Sequence, residues 1–185
     1  MSHEIEVKVK LGIAAFAPAG IALALHTARH FEDNWLLDTA QHQLGKQASV
    51  LRIRIVEGKG LLTYKGKADD APASQFKLRV ELETELGDPH EALAIFEQLG
   101  YHRFFRYQKY RSVYEAKLPS GQQLEVMADE TPIGDFLELE GAEDAIAEAV
   151  RLLAVTPDDY ILDSYLGLQF KHCHAQGRAL EDMVF

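Results

Sequence analysis

The sequence has one cysteine and no long apolar run. Cys173 has no partner in the chain, so an internal disulfide is excluded. No apolar stretch approaches the roughly 20 residues that a transmembrane helix needs, and the charged N-terminus lacks the apolar segment of a signal peptide. These absences predict a cytoplasmic protein with no membrane partner.

Positive charge is also scarce. The chain has 19 Lys and Arg residues against 29 Asp and Glu residues, a formal net charge of −10. Sequence-independent binding of nucleic acid depends on an excess of Lys and Arg over the phosphate backbone, so we expect no nucleic-acid partner. A small phosphate ligand remains compatible with this charge, because a cleft lined by cations can focus a local positive field.

The sequence contains no glycine-rich phosphate loop of the Walker or Rossmann type. Any phosphate binding must therefore depend on side chains. The chain of 185 residues, 47% of them hydrophobic, has no linker, repeat or change of composition. We therefore predict a single domain over residues 1–185.

Alternation of charged and apolar residues predicts β-strands along most of the chain. In residues 3–11, for example, Glu4, Glu6 and Lys8 share one face, whereas Val7 and Val9 share the other. Seven segments have this character: residues 3–11, 50–56, 61–67, 76–84, 107–114, 123–129 and 136–140. A hairpin is predicted at residues 57–60.

Helices are fewer. Asp88 and Pro89 are typical of an N-cap and a first helical residue, and Gly100 is typical of a helix end. A second helix is predicted to begin at Thr156 and to run toward Cys173. Residues 18–30 and 142–153 have weaker helical patterns. These helices could cover the apolar strand faces.

The charged strand faces are segregated by sign. The basic pairs are Arg52 with Arg54, Lys65 with Lys67 and Lys109 with Arg111, and the acidic pair is Glu138 with Glu140. One such strand is also typical of an ordinary sheet with a solvated face. If the sheet closes into a barrel, however, the charges line its interior, where unpaired charge is costly unless a ligand compensates it. Basic residues suit phosphate and carboxylates suit Mg²⁺ or Mn²⁺, so the pattern indicates a metal–polyanion site.

The opening Glu4-Ile5-Glu6-Val7-Lys8 resembles the ExExK motif of the CYTH family, also called triphosphate tunnel metalloenzymes. The family includes class IV adenylyl cyclases, thiamine triphosphatases and inorganic triphosphatases. Further similar segments follow in the family's order, at residues 51–54, 62–66, 79–83, 129–141 and 164–165. The resemblance implies an α+β fold, an eight-stranded closed antiparallel β-barrel with helices packed outside.

The resemblance also implies a set of site residues. Seven would bind the triphosphate: Lys8, Arg52, Arg54, Lys65, Arg79, Lys109 and Arg111. Five would bind one or two divalent ions, Mg²⁺ or Mn²⁺: Glu4, Glu6, Asp129, Glu138 and Glu140. Glu4, Glu6 and Lys8 would be catalytic. Glu81 and Glu83 could orient the basic residues, bind metal through water or simply pair with Arg79. Lys171 could reach the tunnel mouth from the last helix.

The expected function is divalent-metal-dependent hydrolysis of an inorganic or organic triphosphate, such as tripolyphosphate, thiamine triphosphate or a nucleoside triphosphate. One alternative is a class IV adenylyl cyclase that forms cyclic AMP and pyrophosphate from ATP. Another is a non-catalytic module that binds polyphosphate or nucleotides, although pure anion binding has little use for so many carboxylates. The partner would be a small-molecule triphosphate, and an apolar patch on the helices would support a homodimer.

Overall fold

The computed structural model describes the backbone of residues 2–67 and 76–185, and the side chains from residue 5 onward within those ranges. Eight antiparallel strands form one closed barrel in the order β1-β5-β4-β3-β2-β6-β7-β8. Their bounds are β1 Ser2–Val9, β2 Ala22–Thr39, β3 Val50–Val56, β4 Lys59–Lys67, β5 Lys77–Leu86, β6 Tyr101–Lys117, β7 Gln123–Thr131 and β8 Gly134–Glu140. The predicted α+β barrel is confirmed.

In the described ranges, four α-helices lie outside the barrel. They are α1 Gln43–Lys46, α2 Pro89–Gln98, α3 Glu143–Leu152 and α4 Tyr165–Ala175. Helix α2 begins as predicted, since the carboxylate of Asp88 accepts hydrogen bonds from the backbone N–H groups of His90 and Glu91. Helix α3 confirms the weaker helical pattern at residues 142–153. None of the helices in the two described ranges is long and apolar enough to span a membrane.

The predicted helix at residues 18–30 is wrong, because most of that segment belongs to β2. This strand is 18 residues long and pairs with β6 over its whole length. The register of that pairing shifts between Leu25 and Thr27, between Thr27 and His30, and between Leu36 and Leu37. Each shift interrupts the alternation of faces, so the period of two that marks the other strands is lost from the sequence here.

The predicted helix from Thr156 toward Cys173 is also wrong in extent. A short 3-10 turn occupies Pro157–Asp159, Ile161 then forms an isolated bridge with Lys8 of β1, and α4 begins only at Tyr165. The hydroxyl of Ser164 caps α4 by accepting a hydrogen bond from the Gly167 N–H. The bridge of Ile161 to β1 therefore separates the 3-10 turn from α4.

The apolar core lies mainly between the strands and the helices. The largest cluster joins β1, β7 and β8 to α3 and includes Val7, Val126 and Ile146. A second cluster lies under α2 around Trp35 and Ile53. Apolar strand faces therefore point outward against the helices, and the charged faces point into the barrel.

Candidate functional site

The barrel encloses a cavity of about 940 Å³, lined by residues from all eight strands. Ten of the predicted site residues line it: Glu6, Lys8, Arg52, Arg54, Lys65, Arg79, Lys109, Arg111, Glu138 and Glu140. Asp129 lies behind Lys109 and Arg111, to which it is bonded. The side chain of Glu4 lies outside the described residues, although its backbone pairs with Arg79. Strand alternation thus brings together all of the predicted site residues whose side chains are described.

Asp129 accepts several short hydrogen bonds at the site. Its Oδ2 accepts from Lys109 Nζ at 2.8 Å and from the Tyr165 hydroxyl at 2.5 Å, and its Oδ1 accepts from Arg111 Nε at 2.6 Å. Burial alone would raise the pKa of Asp129, but the cations Arg111 and Lys109 hold that pKa below its usual value. Asp129 is therefore an ionised anchor that fixes two of the predicted phosphate-binding cations.

Lys8 and Glu138 form a second buried pair. Lys8 Nζ lies 2.9 Å from Glu138 Oε1, and Arg111 contacts the other oxygen of the same carboxylate. Burial by itself would raise the pKa of Glu138, but Lys8 and Arg111 hold it well below its usual value. Burial would lower the pKa of Lys8, and the charges of Glu138 and Glu6 raise it instead. Both groups are consequently charged at neutral pH.

The two arginines of β3 have different surroundings. Arg52 donates to Thr63 Oγ1 at 3.0 Å and lies 3.6 Å from Glu83 Oε1. Arg54 donates from Nε to Asn34 Oδ1 at 3.1 Å. Burial and the neighbouring charge of Arg52 lower the pKa of Arg54, and nearby carboxylate charge does not fully offset them. Arg54 nevertheless stays charged, and it lines the cavity, where its guanidinium group can contact an anionic ligand.

Further ion pairs lie along β4 and β5. Lys65 Nζ lies 3.0 Å from Glu81 Oε2, and Lys77 contacts Glu6. Thr63 donates to Glu83 Oε1 at 2.6 Å. Glu81 thus contacts Lys65, and Glu83 contacts Thr63 and Arg52. Lys171 does not line the cavity; it is exposed on α4 and bonds to Asp163.

A row of carboxylates crosses three neighbouring strands. Glu6 lies opposite Glu140 in the β1–β8 pair, and Glu140 lies opposite Glu125 in the β7–β8 pair. Opposite residues of antiparallel strands share a face, and all three of these residues line the cavity. Carboxylate oxygens are the ligands that Mg²⁺ and Mn²⁺ prefer, so the chemistry of the row fits such an ion.

The carboxylates are not gathered into a preformed metal site. No three His, Cys, Asp or Glu side chains in the described part of the chain converge tightly enough to hold an ion. Glu6 contacts Lys77, and Glu138 contacts Lys8 and Arg111. A divalent ion would therefore compete with lysine and arginine for these oxygens, and binding would require the ion pairs to rearrange.

The sequence alone does not indicate several residues of the site, including Glu32, Lys77, Glu125 and Tyr165. Glu32 lies on β2 and lines the cavity. Its strand was not predicted, because a helix was predicted for residues 18–30 in the first half of β2. The alternation of Glu32, Asn34 and Leu36 with Trp35 and Leu37 is the signal that could have revealed it. Lys77 stands on a charged strand face, and Tyr165 belongs to a helix motif, yet neither pattern indicates a contact with the site.

The chain is similar to a known family and to several solved structures. The family model described as the CYTH domain matches residues 2–156. A Vibrio parahaemolyticus structure, described as a candidate adenylate cyclase, is 20% identical with a TM-score of 0.69, over 89% of this chain and 95% of that one. A conserved hypothetical protein from Pyrococcus furiosus is 25% identical with a TM-score of 0.65, over 88% of this chain and 97% of that one.

A third similar structure comes from Hippeastrum. It is described as a candidate adenylyl cyclase with a dominant triphosphatase activity, and it is 19% identical with a TM-score of 0.58, over 97% of this chain and 98% of that one. No curated protein matches the sequence. Solved structures of this kind support the same barrel fold.

Proposed function

The chain belongs to the CYTH domain family, and we propose on that basis that it is a divalent-metal-dependent enzyme that hydrolyses inorganic or organic triphosphates inside its barrel. The observation that carries the proposal is the set of buried cations around one cavity. Lys8, Arg52, Lys109 and Arg111 are each at most 8% exposed and all line that cavity. Carboxylates hold these cations in the free tunnel, and several cations around one cavity suit an anion that carries several charges.

The cations suit a chain of phosphate groups. Arg52, Arg54 and Arg111 present planar guanidinium groups that can bind phosphate oxygens in pairs, and Lys8 and Lys109 add point charges. Phosphoryl transfer needs few covalent steps from the protein, because its transition state is stabilised mainly by positioning and by positive charge on the phosphate oxygens. Side chains fixed by Asp129 and Glu138 supply both.

Of the predicted metal ligands, we assign Glu4, Glu6, Glu138 and Glu140 to a divalent ion, and we add Glu125. Asp129, also predicted to bind metal, is assigned instead to holding Lys109 and Arg111. When bound, Mg²⁺ or Mn²⁺ would neutralise phosphate charge and provide a Lewis acid for water. A triphosphate that draws Lys8 and Lys77 toward its own oxygens would also relieve Glu138 and Glu6 of their present partners. Substrate and metal would thereby replace the ion pairs of the free tunnel.

The proposal is tested by ³¹P NMR of reaction products. Purified protein would be incubated separately with tripolyphosphate, thiamine triphosphate and ATP, each with Mg²⁺ or Mn²⁺. We expect orthophosphate together with the corresponding diphosphate. Pyrophosphate and cyclic AMP from ATP would establish a cyclase instead, and binding of a triphosphate with no product would establish a binding module.

Two substitutions test the site. We expect Glu6→Gln and Lys8→Ala each to lower kcat by about 100-fold or more, because each removes a charge that contacts the phosphates or their metal ion. Circular dichroism would check that both variants are folded. Glu130→Gln is the matched control, since Glu130 is paired with Arg29 on the outer face of the barrel and does not line the cavity. Activity like that of the wild type in a folded Glu6→Gln or Lys8→Ala variant would contradict the site.

A further inference from the structure

Glu32 is a buried carboxylate among the cations of the tunnel. It lies on β2 opposite Lys109 of β6, is 1% exposed and lines the cavity. Its Oε2 is 3.3 Å from Arg54 Nε and 3.5 Å from Lys109 Nζ. Its Oε1 is 3.4 Å from His30 Nε2. The carboxylate therefore stands between two cations that we assign to phosphate.

The contacts of Glu32 are loose compared with those of Asp129. All three are 3.3 Å or longer, whereas Asp129 accepts hydrogen bonds at 2.5 to 2.8 Å. Glu32 Oε2 is buried without any hydrogen bond in the described structure. Arg54 Nε donates to Asn34, and Lys109 donates to Asp129. Glu32 thus supplies negative charge to these cations while their strongest hydrogen bonds go elsewhere.

Glu32 is ionised at neutral pH. Burial alone would raise its pKa, but Lys109, Arg54, Arg111 and Arg52 together lower the pKa well below the usual value. A phosphate group that contacts Arg54 and Lys109 must therefore approach a fixed negative charge. At such separations inside a protein, repulsion between like charges is substantial.

We propose that Glu32 is a positioning residue that sets the net charge of the tunnel and keeps its affinity for the diphosphate product low enough for release. The inference rests on the proposed function for its role in turnover, and on the geometry alone for its effect on binding. Without the Glu32 carboxylate, the site formed by Arg54 and Lys109 would be more positive by one full charge. Product would then bind more tightly and leave more slowly.

The test is calorimetric titration of the full chain with inorganic diphosphate and Mg²⁺ at low ionic strength. We expect Glu32→Gln to lower the Kd of diphosphate by about tenfold, because the isosteric amide removes only the negative charge. In steady-state assays with tripolyphosphate, both KM and kcat should fall. If Glu32 had only a structural role, Glu32→Gln would instead raise the Kd of diphosphate, because a distorted tunnel binds anions more weakly.

Two further variants test whether the effect comes from the charge at residue 32 rather than from the shape of the side chain or from the net charge of the protein. Glu32→Asp keeps the charge, and we expect its Kd for diphosphate to stay within about threefold of the wild-type value because the contacts of Glu32 are loose. Glu130→Gln removes one negative charge from the outer face of the barrel, beside Arg29, and should leave the Kd unchanged. Circular dichroism and thermal melting would confirm that each variant is folded.

The outcomes distinguish this inference from the proposed function. A Kd for diphosphate that is unchanged or higher in folded Glu32→Gln overturns the inference, even if the wild-type protein hydrolyses triphosphates. A tighter Kd in a protein that produces no phosphate supports the inference on binding and overturns the triphosphatase. Failure of the wild-type protein to bind either diphosphate or tripolyphosphate overturns both.

Discussion

Tyr165 connects the helical layer to the interior of the barrel. Its hydroxyl donates to Asp129 at 2.5 Å, and its ring stacks on Tyr107 with centroids 5.5 Å apart. Lys8 and Lys109 lie 4.7 and 5.0 Å from the centre of the same ring. Burial and the negative charges of Glu138 and Asp129 raise the pKa of Tyr165 well above its usual value, so the hydroxyl keeps its proton and remains a donor.

Replacing Tyr165 by Phe should therefore destabilise the protein. We expect Tyr165→Phe to lower the free energy of unfolding by about 1–3 kcal/mol, because a buried ionised carboxylate loses one of its donors. Urea denaturation at neutral pH measures the change. Tyr160→Phe is the control, since the Tyr160 ring packs against Phe76 and its hydroxyl bonds to no described residue. Equal losses in both variants would show that the Tyr165–Asp129 bond contributes nothing.

The β3–β4 hairpin and α2 meet at a close approach of backbones. Glu57 and Gly58 both have positive φ, 49° and 80°, as a two-residue hairpin of type I′ requires, and this confirms the hairpin predicted at residues 57–60. Gly60 follows in β4, opposite Leu86 of β5. A Cβ atom at residue 60 would lie 3.0 Å from the Cβ atoms of both Leu86 and Pro89. Any side chain at residue 60 would therefore require Leu86 or Pro89 to move by a few tenths of an ångström.

Adding one methyl group at Gly60 should loosen this junction. We expect Gly60→Ala to lower the free energy of unfolding by about 1–3 kcal/mol, because the new Cβ forces β4 and α2 apart. Gly87→Ala is the matched control, since a Cβ at residue 87 would meet nothing within 4 Å. Thermal melting of both variants measures the difference. If Gly60→Ala melts at the same temperature as Gly87→Ala, the close approach does not limit packing.

The barrel as a whole concentrates buried carboxylates whose pKa values are lowered by cations. Asp129, Glu138 and Glu32 all have this property. Because the unfolded chain binds protons more readily at these positions, the ion pairs stabilise the fold fully only above the unfolded pKa values of about 4 to 4.5. The stabilisation is then lost progressively as the pH falls toward the lower pKa values of the folded state.

Acid should therefore destabilise the whole molecule. We expect the free energy of unfolding to change little between about pH 7 and pH 5 and to fall steeply below about pH 4.5. Urea denaturation at a series of pH values measures this slope. Glu138→Gln, which removes one such carboxylate, should flatten the slope below about pH 4.5 and lower the stability at neutral pH. An unchanged slope in that variant would exclude Glu138 as a contributor.

The fold was predictable where the alternation of faces is unbroken. Seven of the eight strands follow from a strict period of two, and the same alternation places Arg52, Arg54, Lys109 and Arg111 on faces that line the cavity. The first half of β2 was not predictable in this way, because register shifts interrupt its pattern, although the alternation at residues 32–37 was a usable signal. Glu32 was missed together with its strand. The extent of α4 was also wrong, because the bridge of Ile161 to Lys8 is a tertiary contact with no local signal.

The sequence by itself determined the faces of most strands, the segregation of charge by sign and membership of the family. These are local properties, since the strand backbone alone decides which side chains share a face. Only the tertiary structure decided the pairing of Lys8 with Glu138, of Asp129 with Tyr165 and of Glu32 with Arg54. Such pairs depend on the register between strands that are distant in the chain, and closure of the barrel sets that register as a whole.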